Sequence, residues 1–270
     1  FNISNLRFMG FANYRRAFAD DATWHGLART GYITLIGVPI RVVGGFMLAM
    51  LLNQGLKAQG VFRTLFYLPF IVPVSALTLI WFQILAKNAG LLNLIIETVT
   101  GQQTTINWLL NYSNESLVML YAWGLGGGMI IYLAGLQNVP NEYKDAATVD
   151  GANAFQTFFR VTLPLMTPVL LFQTVTGLIW TLQLLVPALL LTPGAVSSGG
   201  LSAGLTIPPD NRLYMVHLYE QTFIYQRFGY GLALAWILFI LIMTLSLILV
   251  RTSRHWVYYE VDIDTKKAEA

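Results

Sequence analysis

The chain has 270 residues, of which 56% are hydrophobic and only 11% are charged, and its mean hydropathy is +0.59. This composition is too apolar for an ordinary soluble domain and indicates a membrane protein. A net charge of +3 does not indicate a nucleic-acid-binding protein, because the Lys and Arg residues are scattered between apolar runs and form no basic stripe. The lack of cysteine excludes disulfides, thiol nucleophiles and Cys-ligated metal sites.

Long apolar runs predict five membrane spans. A helix needs about 20 largely apolar residues to cross the hydrocarbon core, and the runs are continuous rather than alternating, which favours helices over a barrel. The predicted spans are Gly31–Asn53, Leu65–Ala86, Ser116–Gln137, Leu165–Thr192 and Gly231–Val250. The loops predicted to be cytoplasmic carry more Lys and Arg than the others, although four arginines of the N-terminal segment would then lie outside.

Several residues inside these spans are unusual for a lipid environment. Arg41 falls near the middle of the first span, where it should face a partner group or water. Pro69 and Pro73 predict that the second span is bent or broken, as a hinge or as a static kink. Gly124 and Gly128 are four residues apart and predict close packing of helices.

A polar segment, DAATVDGANAFQTFFRVTLP, separates the third and fourth spans and is called the polar island (Asp145–Pro164). We expect Asn141 to cap a short helix and Gly151 to end it in the left-handed conformation. Asn153 and Gln156 then predict a capping box for a second helix that stops before Pro164. The first helix should present one small-residue face, formed by Tyr143, Ala146, Ala147 and Asp150.

The polar island resembles the EAA loop of permease subunits in binding-protein-dependent ABC importers. That pattern is Glu-Ala-Ala, three residues, Gly, nine residues, then Ile-x-Leu-Pro. The corresponding residues are Asp145, Ala146, Ala147, Gly151, Val161, Leu163 and Pro164, with Asp in place of Glu and Val in place of Ile. The segments FMGFANYRRAFAD, GVFRTLFYLPFIVPVSALTLIW and FGYGLALAWILFILI are also similar to the maltose-permease-like, carbohydrate-uptake branch.

The resemblance implies an all-α polytopic bundle with six core spans. Five are visible, so we expect the first to lie upstream of Phe1 in a single permease domain spanning residues 1–270. It further implies a second homologous permease forming a heterodimer, two nucleotide-binding subunits that hold ATP and Mg, and an extracytoplasmic solute-binding protein. The implied location is the cytoplasmic membrane of a bacterium or archaeon, and the implied role of the island is coupling to an ATPase subunit.

Other functional classes are weaker fits to the residues. An intramembrane enzyme needs a catalytic or metal-binding set at membrane depth, which the predicted spans do not offer. His25, His217 and His255 lie outside the spans and are interpreted as ordinary surface or interface residues, and Asp20 with Asp21 as solvated acids. A non-transporting scaffold, or an importer of glycerol phosphate, polyamine or amino acid, is the alternative to a sugar permease.

The fourth span carries a polar stripe, defined as Gln173, Thr176, Gly177, Trp180 and Gln183. These residues recur at three- and four-residue steps and so share one helical face. Gln amides suit sugar hydroxyls and Trp180 suits a sugar C–H face, which predicts a solute path. The alternative is that the amides hold neighbouring helices together.

Overall fold

A computed structural model describes residues 8–55, 57–192 and 212–258, and within these ranges it contains helices and no β-strand. The predicted all-α architecture is therefore confirmed. The chain divides into two compact units. Unit 1 comprises Phe1–Gly37, Val72–Ala122 and Ile179–Thr244, and unit 2 comprises Val38–Ile71, Trp123–Leu178 and Leu245–Ala270.

Fourteen α-helices follow in chain order through the described residues. They are α1 (Ala12–Ala19), α2 (Asp21–Leu52), α3 (Gln59–Ile71), α4 (Val74–Ile84), α5 (Leu91–Thr100), α6 (Trp108–Asn111), α7 (Ser113–Trp123), α8 (Leu125–Asn138), α9 (Asn141–Val149), α10 (Ala154–Thr157), α11 (Leu163–Leu182), α12 (Val186–Leu190), α13 (Tyr214–Tyr219) and α14 (Phe228–Ser253). Two π-helical turns, Phe158–Thr162 and Glu220–Ile224, join α10 to α11 and extend α13.

In the part of the chain that the structure describes, four helical stretches are long and apolar enough to cross a bilayer: Asp21–Leu52, Ser113–Asn138, Ala154–Leu182 and Phe228–Ser253. Helices α3 and α4 form a fifth span if the bent pair is counted as one broken span. This agrees with the five predicted spans, although the first begins at Asp21 rather than Gly31. The extra helical residues follow Asp20, whose Oδ1 accepts a hydrogen bond from the Ala22 amide at 3.0 Å and caps the helix.

The second predicted span is broken, as its prolines indicated. Helix α3 runs through Pro69 and ends at Ile71, and α4 begins after Pro73, with a bend of 94° at the break. Pro73 has φ −52° and ψ 134°, an extended geometry that ends one helix and precedes the next. A proline has no amide hydrogen to continue the ladder, so the break falls where the sequence removes a donor.

The predicted limits of the fourth span are wrong. The helical stretch begins at Ala154 rather than at Leu165, and it ends at Leu182 instead of reaching Thr192. Pro187 cannot continue an α-helical hydrogen-bond ladder, and the helix has ended before the chain reaches it. The chain resumes as the separate short helix α12, with Pro187 at its start.

Unit 2 has a core of aromatic and aliphatic side chains around Tyr132. The Tyr132 and Phe46 rings meet edge to face with centroids 5.5 Å apart, and Met129 and Met166 are fully buried beside them. Helices α3 and α8 approach so closely that a Cβ on Gly126 would overlap the Phe66 carbonyl. Close packing was predicted at Gly124 and Gly128, and the close backbone approach of α3 and α8 falls instead on Gly126, while a Cβ at Gly128 would come within 3.0 Å of Gln173 Nε2 on α11.

Unit 1 contains a buried polar junction, defined as Asp20, His217 and Tyr230, with Arg16 beside it. The Tyr230 hydroxyl donates to Asp20 Oδ2 at 2.8 Å, and the Arg16 guanidinium lies 4.6 Å from the centroid of the Tyr230 ring. His217 is only 2% exposed. His217 is therefore not the surface or interface residue that the sequence suggested, because it is buried within its own chain, and Asp20 is a half-buried, hydrogen-bonded acid rather than a fully solvated one.

Candidate coupling site and solute path

Helix α9 of the polar island ends in a Schellman motif at Gly151. The Ala152 amide donates to the Ala147 carbonyl at 2.9 Å, and the Gly151 amide donates to the Thr148 carbonyl at 3.0 Å. Gly151 has φ +78°, as its sequence position predicted. A Cβ at Gly151 would meet nothing within 4 Å, so backbone conformation and not space requires the glycine.

The two helix starts of the polar island are built differently. At α10 the Gln156 amide donates to Asn153 Oδ1 and the Asn153 amide donates to Gln156 Oε1, both at 2.9 Å, which confirms the predicted capping box. At α9 the prediction is wrong. Asn141 is the first helical residue, and the cap position is held by Pro140 with no side-chain cap. Pro140 takes that place because its fixed φ suits the entry to a helix.

The face of α9 predicted to contact another protein is open to the surroundings. Tyr143, Asp145, Ala146 and Asp150 are exposed and Ala147 is half-buried, and α9 has no buried residue. Small alanine side chains between longer ones leave a shallow surface that another backbone can approach closely. The structure therefore presents α9 as a short helix, capped at its C-terminus, that the described residues leave uncovered.

An exposed aromatic pair next to this face was missed by the sequence analysis. Phe155 is 72% exposed and Phe159 is also exposed, with ring centroids 4.5 Å apart. Val149, in the last turn of α9, is 87% exposed. The sequence signal for the pair is the four-residue spacing of Phe155 and Phe159, which begins inside the capping box and places both rings on one side of the helix.

The end of the motif, Leu163 and Pro164, does not terminate the second helix as predicted. The chain passes from α10 through the π-helical turn into α11, giving one helical stretch from Ala154 to Leu182. The Leu163 amide donates to the Phe158 carbonyl, five residues back, so the hydrogen-bond register shifts by one residue at the proline. This shift accommodates Pro164, which has no amide to donate.

The polar stripe divides into two parts. In unit 2, Gln173 Nε2 donates to the Gly128 carbonyl at 3.2 Å, and the Thr176 hydroxyl donates to the Phe172 carbonyl at 2.8 Å. Both are half-buried, as is Gly177. The Gln173 amide thus links α11 to α8, which is the helix-holding role that the sequence left open for it.

The other two residues of the stripe are exposed. Trp180 is 73% exposed although it lies in the last turn of α11. Gln183 is exposed in the turn after the helix has ended. Gln183 therefore does not continue the helical face as predicted, because α11 stops one residue before it.

Arg41 lies within α2 and is half-buried. Its guanidinium carbon is 6.0 Å from the centroid of the Phe70 ring on α3, at the outer limit of a cation–π contact. The predicted contact of this intramembrane charge with a partner group is consistent with that geometry. Within residues 8–55, 57–192 and 212–258, no group of three or more His, Asp or Glu side chains is placed to hold a metal ion.

Residues 41–257 match the family described as the inner membrane component of binding-protein-dependent transport systems. The chain belongs to this family. The resemblance carried by the polar island is thereby confirmed, and the chain is a multi-pass membrane component of the ABC transporter type.

Two relatives show how far this permease relationship extends. The chain is 35% identical over 258 residues to the probable ABC transporter permease YesP of Bacillus subtilis, covering 94% of this chain and 80% of YesP. It is 28% identical over 246 residues to the lactose transport permease LacF of Rhizobium radiobacter, covering 89% and 79%.

The fold is shared with a bacterial alginate ABC transporter whose crystal structure contains an alginate pentasaccharide-bound periplasmic protein. The TM-score is 0.71 at 18% identity, over 94% of this chain and 85% of that chain. YesP and LacF are permeases, which are transport components rather than enzymes.

Proposed function

We propose that this chain forms the membrane path for a sugar or sugar-like solute in an ATP-driven importer. Family membership supports the permease role. The sugar class is supported by the lactose permease relationship and by the resemblance to the maltose-permease-like branch. Solute passes by alternating access, in which closure of partner ATPase subunits rearranges the membrane helices.

The proposed assembly has three kinds of partner. A second homologous permease completes the path as a heterodimer, two nucleotide-binding subunits hold ATP and Mg, and an extracytoplasmic binding protein delivers the solute. The fold shared with a transporter crystallised with its periplasmic protein supports the last of these. The complex would reside in the cytoplasmic membrane of a bacterium or archaeon.

The observation that carries the coupling role is the uncovered face of α9 beside an exposed aromatic pair. Tyr143, Asp145, Ala146, Ala147, Asp150 and Gly151 form the proposed contact with an ATPase subunit, with Leu163 and Pro164 leading into α11. The Schellman motif and the capping box fix the corner between α9 and α10 without help from a buried core. Exposed aromatic and aliphatic side chains next to a rigid corner suit a protein–protein interface.

The solute path is proposed for Trp180 and Gln183 rather than for the whole polar stripe. Trp180 offers an aromatic face and Gln183 an amide, and the exposure of both leaves them free to contact a solute or a partner helix. Gln173 and Thr176 act as supports, because their polar atoms already bond within unit 2.

The test is a solute screen on the assembled complex in proteoliposomes. ATP hydrolysis is measured with the binding protein present and with single additions of mono-, di- and oligosaccharides, and then of polyamines and amino acids. We expect stimulation and uptake only with one subset of the sugars. Stimulation by a polyamine or an amino acid, with none by any sugar, would overturn the sugar assignment.

A further inference from the structure

Helix α5 turns aliphatic side chains away from its own protein. Leu91, Leu94, Ile95 and Val99 are exposed, and Val99 is 80% exposed. Steps of three, one and four residues place these four side chains on one side of an α-helix. A helix of a soluble domain normally packs such a side inward, so the direction of this one requires an explanation.

The opposite side of α5 is fixed by Asn93, which is 3% exposed. Its Nδ2 donates to the carbonyls of Lys87 at 3.1 Å and Ile106 at 3.0 Å, and its Oδ1 accepts from Trp108 Nε1 at 2.8 Å. Leu92 packs against the apolar core of unit 1. These contacts fix the rotation of the helix about its axis, so the outward direction of the aliphatic side is part of the fold.

The turn before α5 keeps the helix close to the end of a membrane segment. Helix α4 ends at Ile84, and Leu85–Gly90 connects it to α5. The connection needs Ala89 at φ +56°, and a Cβ on Gly90 would overlap the Ala86 carbonyl. Ten residues of helix are about 15 Å long, half of the ~30 Å hydrocarbon core, so α5 cannot itself span the bilayer.

The exposed side of α5 presents no side-chain polar group that needs a hydrogen bond from water. On this side the Thr98 hydroxyl donates to the Leu94 carbonyl at 2.7 Å. The one charged residue of the helix, Glu97, is half-buried and lies on the side of Asn93, away from the aliphatic side chains. Protein interfaces are typically marked by Tyr, Trp or Arg within a polar rim, and this side has aliphatic residues and one internally bonded hydroxyl instead. Acyl chains match that surface better than another protein does.

We propose that α5 lies in the plane of the membrane interface, with Leu91, Leu94, Ile95 and Val99 in the boundary between headgroups and acyl chains. The exposed Lys87 in the preceding turn is placed to extend towards lipid phosphates. The occupant of the aliphatic side is therefore lipid. This helix would set the depth of α4 in the bilayer, a role separate from transport and from coupling.

The lack of cysteine in the chain permits a clean test by site-directed spin labelling. Single variants Ile95→Cys and Val99→Cys are labelled in the assembled complex, in nanodiscs of phosphatidylethanolamine and phosphatidylglycerol. Asn88→Cys, in the exposed turn before α5, is the water-facing control, and Leu247→Cys, exposed on α14, is the lipid-facing control. Oxygen and a water-soluble nickel chelate serve as the relaxation probes, because oxygen concentrates in lipid.

We expect the oxygen-to-nickel accessibility ratio at 95 and 99 to approach that of Leu247→Cys and to exceed that of Asn88→Cys severalfold. A ratio at both sites equal to that of Asn88→Cys would overturn the proposal. Dipolar broadening between labels on two complexes would instead assign the surface to a second copy, and protection that appears only with the binding protein would assign it to that protein. Either result also overturns the lipid assignment.

Discussion

His217 Nε2 lies 3.3 Å from Asp20 Oδ2, which joins residues almost two hundred positions apart. The contact is a close electrostatic one and not an aligned hydrogen bond, because neither His217 ring nitrogen has a hydrogen-bond partner among the described residues. Burial, opposed by Asp20, lowers the pKa of His217 below its usual 6.5. Burial raises the pKa of Asp20, but the hydrogen bonds from the Tyr230 hydroxyl and the Ala22 amide, together with nearby positive charge, lower it by more. The pKa of Asp20 therefore lies below its usual 3.8.

Acidification should therefore destabilise the buried polar junction. The unfolded chain protonates this histidine at a higher pH than the folded chain does, so stability is lost as pH falls from about 6.5 towards the folded pKa. The slope can reach about 1.4 kcal/mol per pH unit. His217→Gln should flatten the slope in that window, measured as the unfolding midpoint of the solubilised complex by Trp fluorescence. His25→Gln, at an exposed histidine, is the control and should leave the slope unchanged.

Replacing Gly151 tests the corner of the polar island. Gly151→Val should lose coupled uptake, because a β-branched residue resists φ +78° by about 1–2 kcal/mol or more. Gly151→Asn is the matched variant, since Asn tolerates the left-handed region, and it should retain most of the uptake. The readouts are ATP hydrolysis and solute uptake in the same proteoliposomes. Equal coupling in the Val and Asn variants would show that the corner conformation does not matter.

Gly126 tests the packing of α3 against α8. Gly126→Ala places a Cβ on the Phe66 carbonyl, so the two helices must move apart, and we expect a loss of about 1–3 kcal/mol of stability. Gly31→Ala is the control, because a Cβ at Gly31 meets nothing within 4 Å and should be neutral or stabilising. Thermal unfolding of the solubilised complex measures both. A Gly126→Ala variant as stable as the parent would contradict the close approach.

The divided polar stripe predicts different outcomes for its two parts. Trp180→Ala and Gln183→Leu should weaken uptake or change solute preference while assembly and basal ATP hydrolysis persist, because both side chains are exposed. Gln173→Leu should instead lower stability by about 1 kcal/mol, because it removes the bond to the Gly128 carbonyl. Uptake assays paired with thermal unfolding separate the two effects. Parent-like transport of every solute by the Trp180 and Gln183 variants would remove them from the path.

Local signals in the sequence predicted the parts of the fold that local chemistry determines. Gly151 and the Asn153–Gln156 capping box were found because each requires only neighbouring residues. The break at Pro73 was found for the same reason. The family assignment rests on the same short segment, because its spacing is specific.

The features that the sequence did not reveal depend on partners far along the chain or on a shifted hydrogen-bond register. Asp20 accepts a hydrogen bond from Tyr230, 210 positions away, and no local sequence pattern predicts that contact. Pro164 normally signals a helix end, and only the π-helical turn before it lets α11 continue. The bond from Gln173 to Gly128 likewise decides between two roles that the spacing alone left open.

The continuous helical stretch from Ala154 to Leu182 joins the corner of the polar island to Trp180. Its twenty-nine residues at 1.5 Å each make a helix about 43 Å long. The helix continues through both Pro164 and Pro168, so the corner and Trp180 belong to one hydrogen-bonded element. If an ATPase subunit docks at the corner as proposed, this single helix is the direct connection between the docking surface and the proposed solute-contacting residue.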